Sequence, residues 1–123
     1  MKRLTNKLLH KAMVFCINNY GISKFKKEIP VVDVIRENSD YYGWYENDDN
    51  IIFLNKALIL NDLDFAETFI HEYQHYLQSP VWDTRYARKF TYSKHPYEKK
   101  AESVAVRDAD VLIEYLNQED IYK

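Results

Sequence analysis

The spacing of apolar and polar residues along the chain predicts a helix followed by a small sheet. Over residues 5–20, apolar side chains recur three and four positions apart, which is typical of an amphipathic helix. Thr5 can cap its start, and Gly21 stands where helices often end. Runs rich in β-branched or aromatic residues predict three strands, at residues 29–35, 41–45 and 50–55. The turn-forming cluster at residues 46–49 joins the last two strands into an antiparallel hairpin.

Two more helices are predicted after the sheet. Asp64 and Glu67 have the spacing of a capping box, and neither Gly nor Pro interrupts the sequence from there to Gln78. Pro96 occupies a favoured first helical position, and the helix that it opens can continue to about Asn117. The order of elements therefore indicates an α+β fold, with a small, mainly antiparallel sheet of about three strands.

The composition is that of a compact globular chain. Of the 123 residues, 46% are hydrophobic and 29% are charged, with only 2 Gly and 3 Pro, which excludes a disordered or low-complexity protein. No repeat or break in composition divides the sequence. We therefore expect residues 1–123 to form a single domain.

Charge and hydropathy exclude several classes of partner. The formal net charge of −2 argues against a dedicated nucleic-acid binder, which would usually be basic. No stretch approaches the roughly 18 apolar residues that span a membrane. One Cys, Cys16, excludes an internal disulfide and fits a reducing compartment. We expect a cytoplasmic protein that binds neither nucleic acid nor membrane; the oligomeric state stays open.

The second predicted helix contains an HExxH motif, His71-Glu-Tyr-Gln-His75. Residues four apart share a helix face, so the two imidazoles can reach one metal ion. Glu72 lies about 100° around the helix axis, beside the metal, where it can accept a proton from water instead of ligating. Zinc suits imidazole and carboxylate ligands. The motif therefore predicts a zinc site with His71 and His75 as ligands and Glu72 as the catalytic base.

A catalytic zinc site needs a third protein ligand. The metzincin pattern is excluded, because Gln78 and Val81 occupy the positions of its Gly and its third His. Glu98 and Glu102 on the third helix share a face, so one can bind the metal while the other accepts the free N–H of a ligand His. These two glutamates could exchange roles. His95 is a rival ligand whose simpler interpretation is a local cap.

The two motifs together resemble those of the gluzincin metallopeptidases. The HExxH helix is followed by Glu98-x-x-Ala101-Glu102-x-x-Ala105, similar to the second glutamate helix of that clan. The resemblance implies a zincin-like domain in which Glu98 is the zinc ligand and Glu102 supports a ligand His. Glu102 departs from the Asp or Asn usual at its position. Residues 43–55 are also similar to the strand pair that precedes the active-site helix in small prokaryotic peptidases of the ImmA type.

The resemblance implies a zinc metalloendopeptidase that acts on a peptide or protein. Glu72 would take a proton from water and pass it to the leaving amine. We expect the substrate to lie along an edge strand at residues 51–55, because that strand directly precedes the active-site helix. Its contacts there would be Ile51, Phe53 and Asn55. Candidate donors to the developing oxyanion are Tyr86, Tyr92 and His95.

Two other functions remain compatible with the sequence. The chain could be a non-catalytic zinc or protein-binding module on a peptidase scaffold. It could also be a regulatory peptidase specific for one partner protein. A peptidase of this size could be latent if its polar tail, residues 117–123, blocks a small cleft.

Overall fold

The computed structural model describes residues 4–80, 88–89 and 95–121 of the chain. Three main helices and three strands follow the predicted α+β order, which confirms the fold class. In chain order they are α1 (Asn6–Tyr20), β1 (Val31–Ile35), β2 (Gly43–Glu46), β3 (Ile51–Asn55), α2 (Asp62–Leu77) and α3 (Pro96–Ile121). Helix α3 extends four residues beyond the predicted end at Asn117. Within these ranges, no helix combines the length and apolar character needed to cross a bilayer.

The three strands form a mixed sheet in the order β1–β3–β2. The predicted hairpin is confirmed, since β2 and β3 pair antiparallel, with Trp44 opposite Phe53. Strand β1 pairs parallel with β3, so half of the pairing is parallel where the sequence indicated a mainly antiparallel sheet. Because β1 and β2 run antiparallel to each other on opposite sides of β3, the chain between them stays at one end of the sheet and passes over the end of β3.

Strand β3 is central, so the prediction that residues 51–55 form a free substrate-binding edge is wrong. Its backbone groups are already bonded to β1 on one side and to β2 on the other. Ile51 lies between both neighbours, and the Phe53 ring stacks on Trp44 with centroids 5.1 Å apart. β3 carries fully buried residues, as expected of a central strand. Among the described strands, the edges of the sheet are β1 and β2.

Asn55, the third predicted substrate contact, has a structural role instead. Its side chain is fully buried. Oδ1 accepts hydrogen bonds from the backbone N–H groups of Glu37 (3.0 Å) and Ala57 (3.1 Å). Nδ2 donates to the carbonyls of Glu37 and Tyr41, both at 3.0 Å. One amide thereby fixes the crossover from β1 to β2 against the end of β3.

The helix starts follow side-chain capping. Thr5 caps α1 as predicted, its Oγ1 accepting from Leu8 N at 3.2 Å, and the helix ends at Gly21 with φ 79°. Helix α2 begins before the predicted Asp64, because Asn61 is the cap and its Oδ1 accepts from Asp64 N at 2.8 Å. Asn is a strong N-cap residue, and Asp64 then lies in the first turn, where a negative charge favours the helix dipole.

Helix α2 packs against α1, α3 and the sheet, so its buried residues lie on several sides. Strand β2 comes unusually close to it at Gly43. A Cβ on Gly43 would lie 2.6 Å from Phe53 O and 2.9 Å from Thr68 Cγ2. Only glycine permits this approach. Thr68 is one turn before His71, so the contact brings the free edge of β2 beside the HExxH motif.

Replacing Asn55 with Ala should lower the free energy of unfolding by about 2 to 4 kcal/mol, because several buried backbone groups would lose their partners. Urea unfolding followed by circular dichroism measures this. Asn19→Ala is the matched control: Asn19 is exposed on α1, and its amide contacts only Phe15 O. The control should change stability by less than about 1 kcal/mol. Equal effects at the two positions would contradict the role given to Asn55.

Candidate metal centre

His71, His75 and Glu98 converge where α2 meets the start of α3. Glu98 Oε1 lies 3.2 Å from His71 Nε2 and 2.6 Å from His75 Nε2. One ligand atom from each residue lies within 4.8 Å of the others. The three side chains are 14–17% exposed, so the group opens to the surface without being free in solvent. These residues could hold a metal ion.

His95 positions the glutamate without joining the group. Its Nδ1 accepts from Tyr97 N at 3.1 Å, and its carbonyl accepts from Lys99 N at 2.9 Å. These are the contacts of an N-cap residue. The interpretation of His95 as a local cap is therefore confirmed, although the side chain is buried. Because the cap fixes the start of α3, it fixes Glu98 in the first turn.

Each imidazole has a second acceptor at its other nitrogen. His75 Nδ1 lies 2.7 Å from Gln78 Oε1, and His71 Nδ1 lies 3.5 Å from Glu102 Oε2. An acceptor at Nδ1 holds the proton there and leaves the Nε2 lone pair for a metal. The two glutamates thus occupy different places, since Glu98 faces both Nε2 atoms and Glu102 faces one Nδ1. Glu102 is 67% exposed.

Gln78 is a site residue that the sequence reasoning missed. From the sequence, Gln78 served only to exclude the metzincin pattern. In the structure it caps the end of α2, and its Nε2 donates to Tyr97 O at 3.1 Å while its Oε1 faces His75. The side chain therefore links the imidazole to the first turn of α3. One signal in the sequence could have identified Gln78. It lies three residues after His75, where its amide oxygen can reach the Nδ1 of that imidazole.

Glu72 is buried beside the group, with 8% of its surface exposed. It lies at the junction of two clefts, of about 410 Å³ and 200 Å³, which Tyr41 and Gly43 also line. Burial raises the pKa of Glu72, opposed by the nearby imidazoles of His75 and His71. Across residues 4–80 and 95–121, no hydrogen bond to its carboxylate is found. Its oxygens are therefore available to a molecule in the cleft.

The pKa values of Glu98 and His75 reflect their contact. Burial alone would raise the pKa of Glu98, but hydrogen bonds from His71 and His75 outweigh it and lower that pKa to about 2. Burial alone would lower the pKa of His75, but its hydrogen bond to Glu98 and the charge of Glu72 outweigh it and raise the pKa. Without a metal, the contact therefore favours the protonated form of His75 and the ionised form of Glu98.

The donor set fits a divalent zinc ion. Zinc accepts imidazole nitrogen and carboxylate oxygen, and tetrahedral bonds of about 2.0–2.1 Å place donor atoms about 3.3 Å apart. The 3.2 Å between His71 Nε2 and Glu98 Oε1 matches that spacing. The 2.6 Å between His75 Nε2 and Glu98 Oε1 is a hydrogen bond and must lengthen when its proton is displaced.

Comparisons with protein-family models, with known proteins and with solved structures found no match to this chain. The resemblance to gluzincins therefore stays a prediction from the residues of the two motifs. The oxyanion-donor candidates Tyr86 and Tyr92 lie outside the described residues.

Replacing Gln78 with Ala should weaken zinc binding about 10- to 100-fold, because His75 loses the acceptor that orients its ring. Competition with a chromophoric chelator measures the affinity. Gln118→Ala is the matched control, since Gln118 is exposed on α3 and its amide contacts only Glu114. Unchanged affinity in a folded Gln78 variant would contradict the orienting role.

The metal-free chain should gain stability from the His75–Glu98 pair between about pH 4.5 and 6.5. The lowered pKa of Glu98 stabilises the fold above its ordinary value of 4.5, and this contribution is lost as the pH falls to about 2. The raised pKa of His75 stabilises the fold below its ordinary value of 6.5, and this contribution is lost as the pH rises through the folded value.

Thermal unfolding of the chain in a chelator, followed across the pH range, tests this pH profile. Glu98→Gln should flatten the profile in that window. Glu114→Gln, an exposed change on the same helix, should keep it. The pair would have no such role if Glu98→Gln and the unchanged chain gave the same curve.

Proposed function

We propose that this chain is a zinc-dependent peptidase in which Glu72 acts as general base and then as general acid. The observation that carries the proposal is the convergence of His71 Nε2, His75 Nε2 and Glu98 Oε1 next to the buried Glu72 carboxylate. Three protein ligands and a neighbouring unligated carboxylate are the parts that metal-assisted hydrolysis requires.

The metal would be held by His71, His75 and Glu98. A zinc ion there supplies a Lewis acid that polarises a carbonyl and lowers the pKa of water from 15.7 toward about 7. Gln78 and Glu102 place acceptor oxygens 2.7 Å and 3.5 Å from the outer ring nitrogens of His75 and His71, where they would favour the ligating tautomer of each imidazole. Both are residues of this chain whose atoms already lie at those nitrogens.

Glu72 supplies the proton transfers. Its carboxylate faces the cleft without a donor from residues 4–80 or 95–121, so it can accept a proton from the attacking water and release it to the leaving nitrogen. Burial raises its pKa, which makes the carboxylate a stronger base toward the attacking water. A solvated carboxylate would be a weaker base.

A peptide can reach this centre along β2. Among the described strands it is an edge of the sheet, and Gly43, Trp44 and Tyr45 line the cleft together with Glu72. An extended peptide can pair with free backbone groups of an edge strand, while its side chains enter the neighbouring clefts. The strand proposed to pair with the peptide is therefore β2 and not the central strand β3.

Replacing Glu72 with Gln should leave zinc content unchanged and reduce peptide cleavage by about 10²- to 10⁴-fold, because only the proton-transfer group is removed. Zinc is measured by elemental analysis, and cleavage by mass spectrometry of a mixed peptide library. Glu114→Gln should change neither quantity.

Each other outcome has a distinct meaning. Cleavage that survives in Glu72→Gln would refute the role of Glu72. A chain that binds zinc stoichiometrically yet cleaves no peptide or protein would support the non-catalytic zinc module instead.

A further inference from the structure

The cleft around Glu72 has two halves of different character. The acidic half, about 410 Å³, lies beside His71. Besides Glu72, its carboxylates belong to Asp40, Asp64, Glu67 and Glu102. Over the described ranges of the chain, no Lys or Arg lines this half. Among the described residues, the lining of this half therefore carries an excess of negative charge.

The opposite half, about 200 Å³, lies beside His75 and is aromatic and neutral. Trp44, Tyr45, Asn47 and Gln78 line it, and the acidic groups among its described residues are Glu72 and Glu98 of the centre itself. Strand β2 passes both halves of the cleft. Gly43 lines both of them, and Trp44 and Tyr45 line the aromatic half. A peptide along this edge would meet the two halves on opposite sides of Glu72.

The acidic half does not have the arrangement of a second metal site. In the described residues, the group able to bring three ligand atoms within 4.8 Å of one another is His71, His75 and Glu98. The carboxylates of Asp40, Asp64 and Glu67 do not meet that distance as a set. They surround a space larger than one ion, which suits an extended organic cation with several N–H donors.

The buried carboxylate of Glu72 is a second indication that a ligand enters the cleft beside this half. Its side chain is more than nine-tenths buried, lines the acidic half, and accepts no hydrogen bond from the described residues. The half-buried Glu67 lies close to other carboxylates in the same space. Its pKa is raised by burial and by the charges of Glu102, Asp64 and Asp110. A cation entering there would relieve this repulsion.

We propose that the acidic half is a subsite for a Lys or Arg side chain of the substrate peptide, on one fixed side of the bond that is cut. The subsite rests on the proposed peptidase function and defines its substrate class as basic peptides. Asp40 and Glu102 are exposed at the rim and attract the cation, while the deeper Glu67 receives it. Arg is favoured over Lys, because its planar fork can bond two carboxylates at once.

Binding tests the subsite without requiring cleavage. The probes are fluorescein-labelled hexapeptides with one arginine among neutral residues, and matched peptides with citrulline, which has the same length and lacks the charge. Fluorescence anisotropy with the full chain in a chelator gives the ratio of the two affinities. Glu67→Gln should lower the arginine preference about two- to fivefold, and Asp40→Asn in addition should lower it further.

Glu114→Gln is the matched control, since it changes the net charge equally at an exposed position of α3. It should keep the arginine preference, and added salt should weaken the preference in the unchanged chain. Equal affinity for the two peptides, or a full preference in Glu67→Gln, would overturn the subsite.

Cleavage-site mapping with zinc separates this inference from the proposed function. If the subsite is correct, Lys or Arg should occur at one position, on the same side of every cut bond. Cleavage without that preference would refute the subsite and leave the peptidase function standing. An arginine preference in binding that Glu67→Gln removes, with no cleavage of any peptide, would support the cationic subsite and refute the peptidase function.

Discussion

The contact of the Glu98 carboxylate with two imidazoles is the interaction on which the candidate site depends. It joins α2 to the first turn of α3, and the residues around it serve that junction. His95 caps α3 so that Glu98 faces α2, and Gln78 bonds both His75 and Tyr97 O across the same gap. If α3 shifted along α2 by one turn, about 5.4 Å, all of these contacts would be lost together.

Forming this junction opposes folding in a small protein. It places carboxylates and imidazoles in a partly buried region where desolvation opposes their charges. Two hydrogen bonds outweigh the effect of burial on Glu98, whereas the charges of His75 and His71 do not outweigh the effect of burial on Glu72. The aromatic and aliphatic packing of α2 supplies the stability that offsets it, with Phe65, Phe69 and Tyr73 fully buried. A polar cluster retained at such cost points to chemistry more than to stability.

Local features were predictable from sequence and non-local ones were not. The spacing of His71 and His75, the Thr5 cap and the β2–β3 hairpin depend on residues a few positions apart, so pattern and propensity were sufficient. The central place of β3 depends on which strands pair, and chain order does not specify it. The start of α2 was misplaced because Asn61 and Asp64 both offer capping chemistry, and only the backbone conformation decides between them.

The same distinction applies to the site. The sequence left Glu98 and Glu102 interchangeable, because residues four apart share a face whatever that face contacts. Their different positions at His71 follow from how α3 packs on α2, a tertiary contact. Gln78 was missed for the same reason, since its function depends on a carbonyl of Tyr97 nineteen residues away.

The contact at Gly43 has a consequence for how the cleft could diversify. A carbon added at Gly43 would be in contact with Phe53 O of β3 on one side and with the Thr68 Cγ2 methyl of α2 on the other. The width of the cleft mouth does not depend on a side-chain rotamer at Gly43, because glycine has no side chain. New substrate preferences would have to arise from residues farther along the cleft. Even a methyl group added at Gly43 would force β2 away from α2.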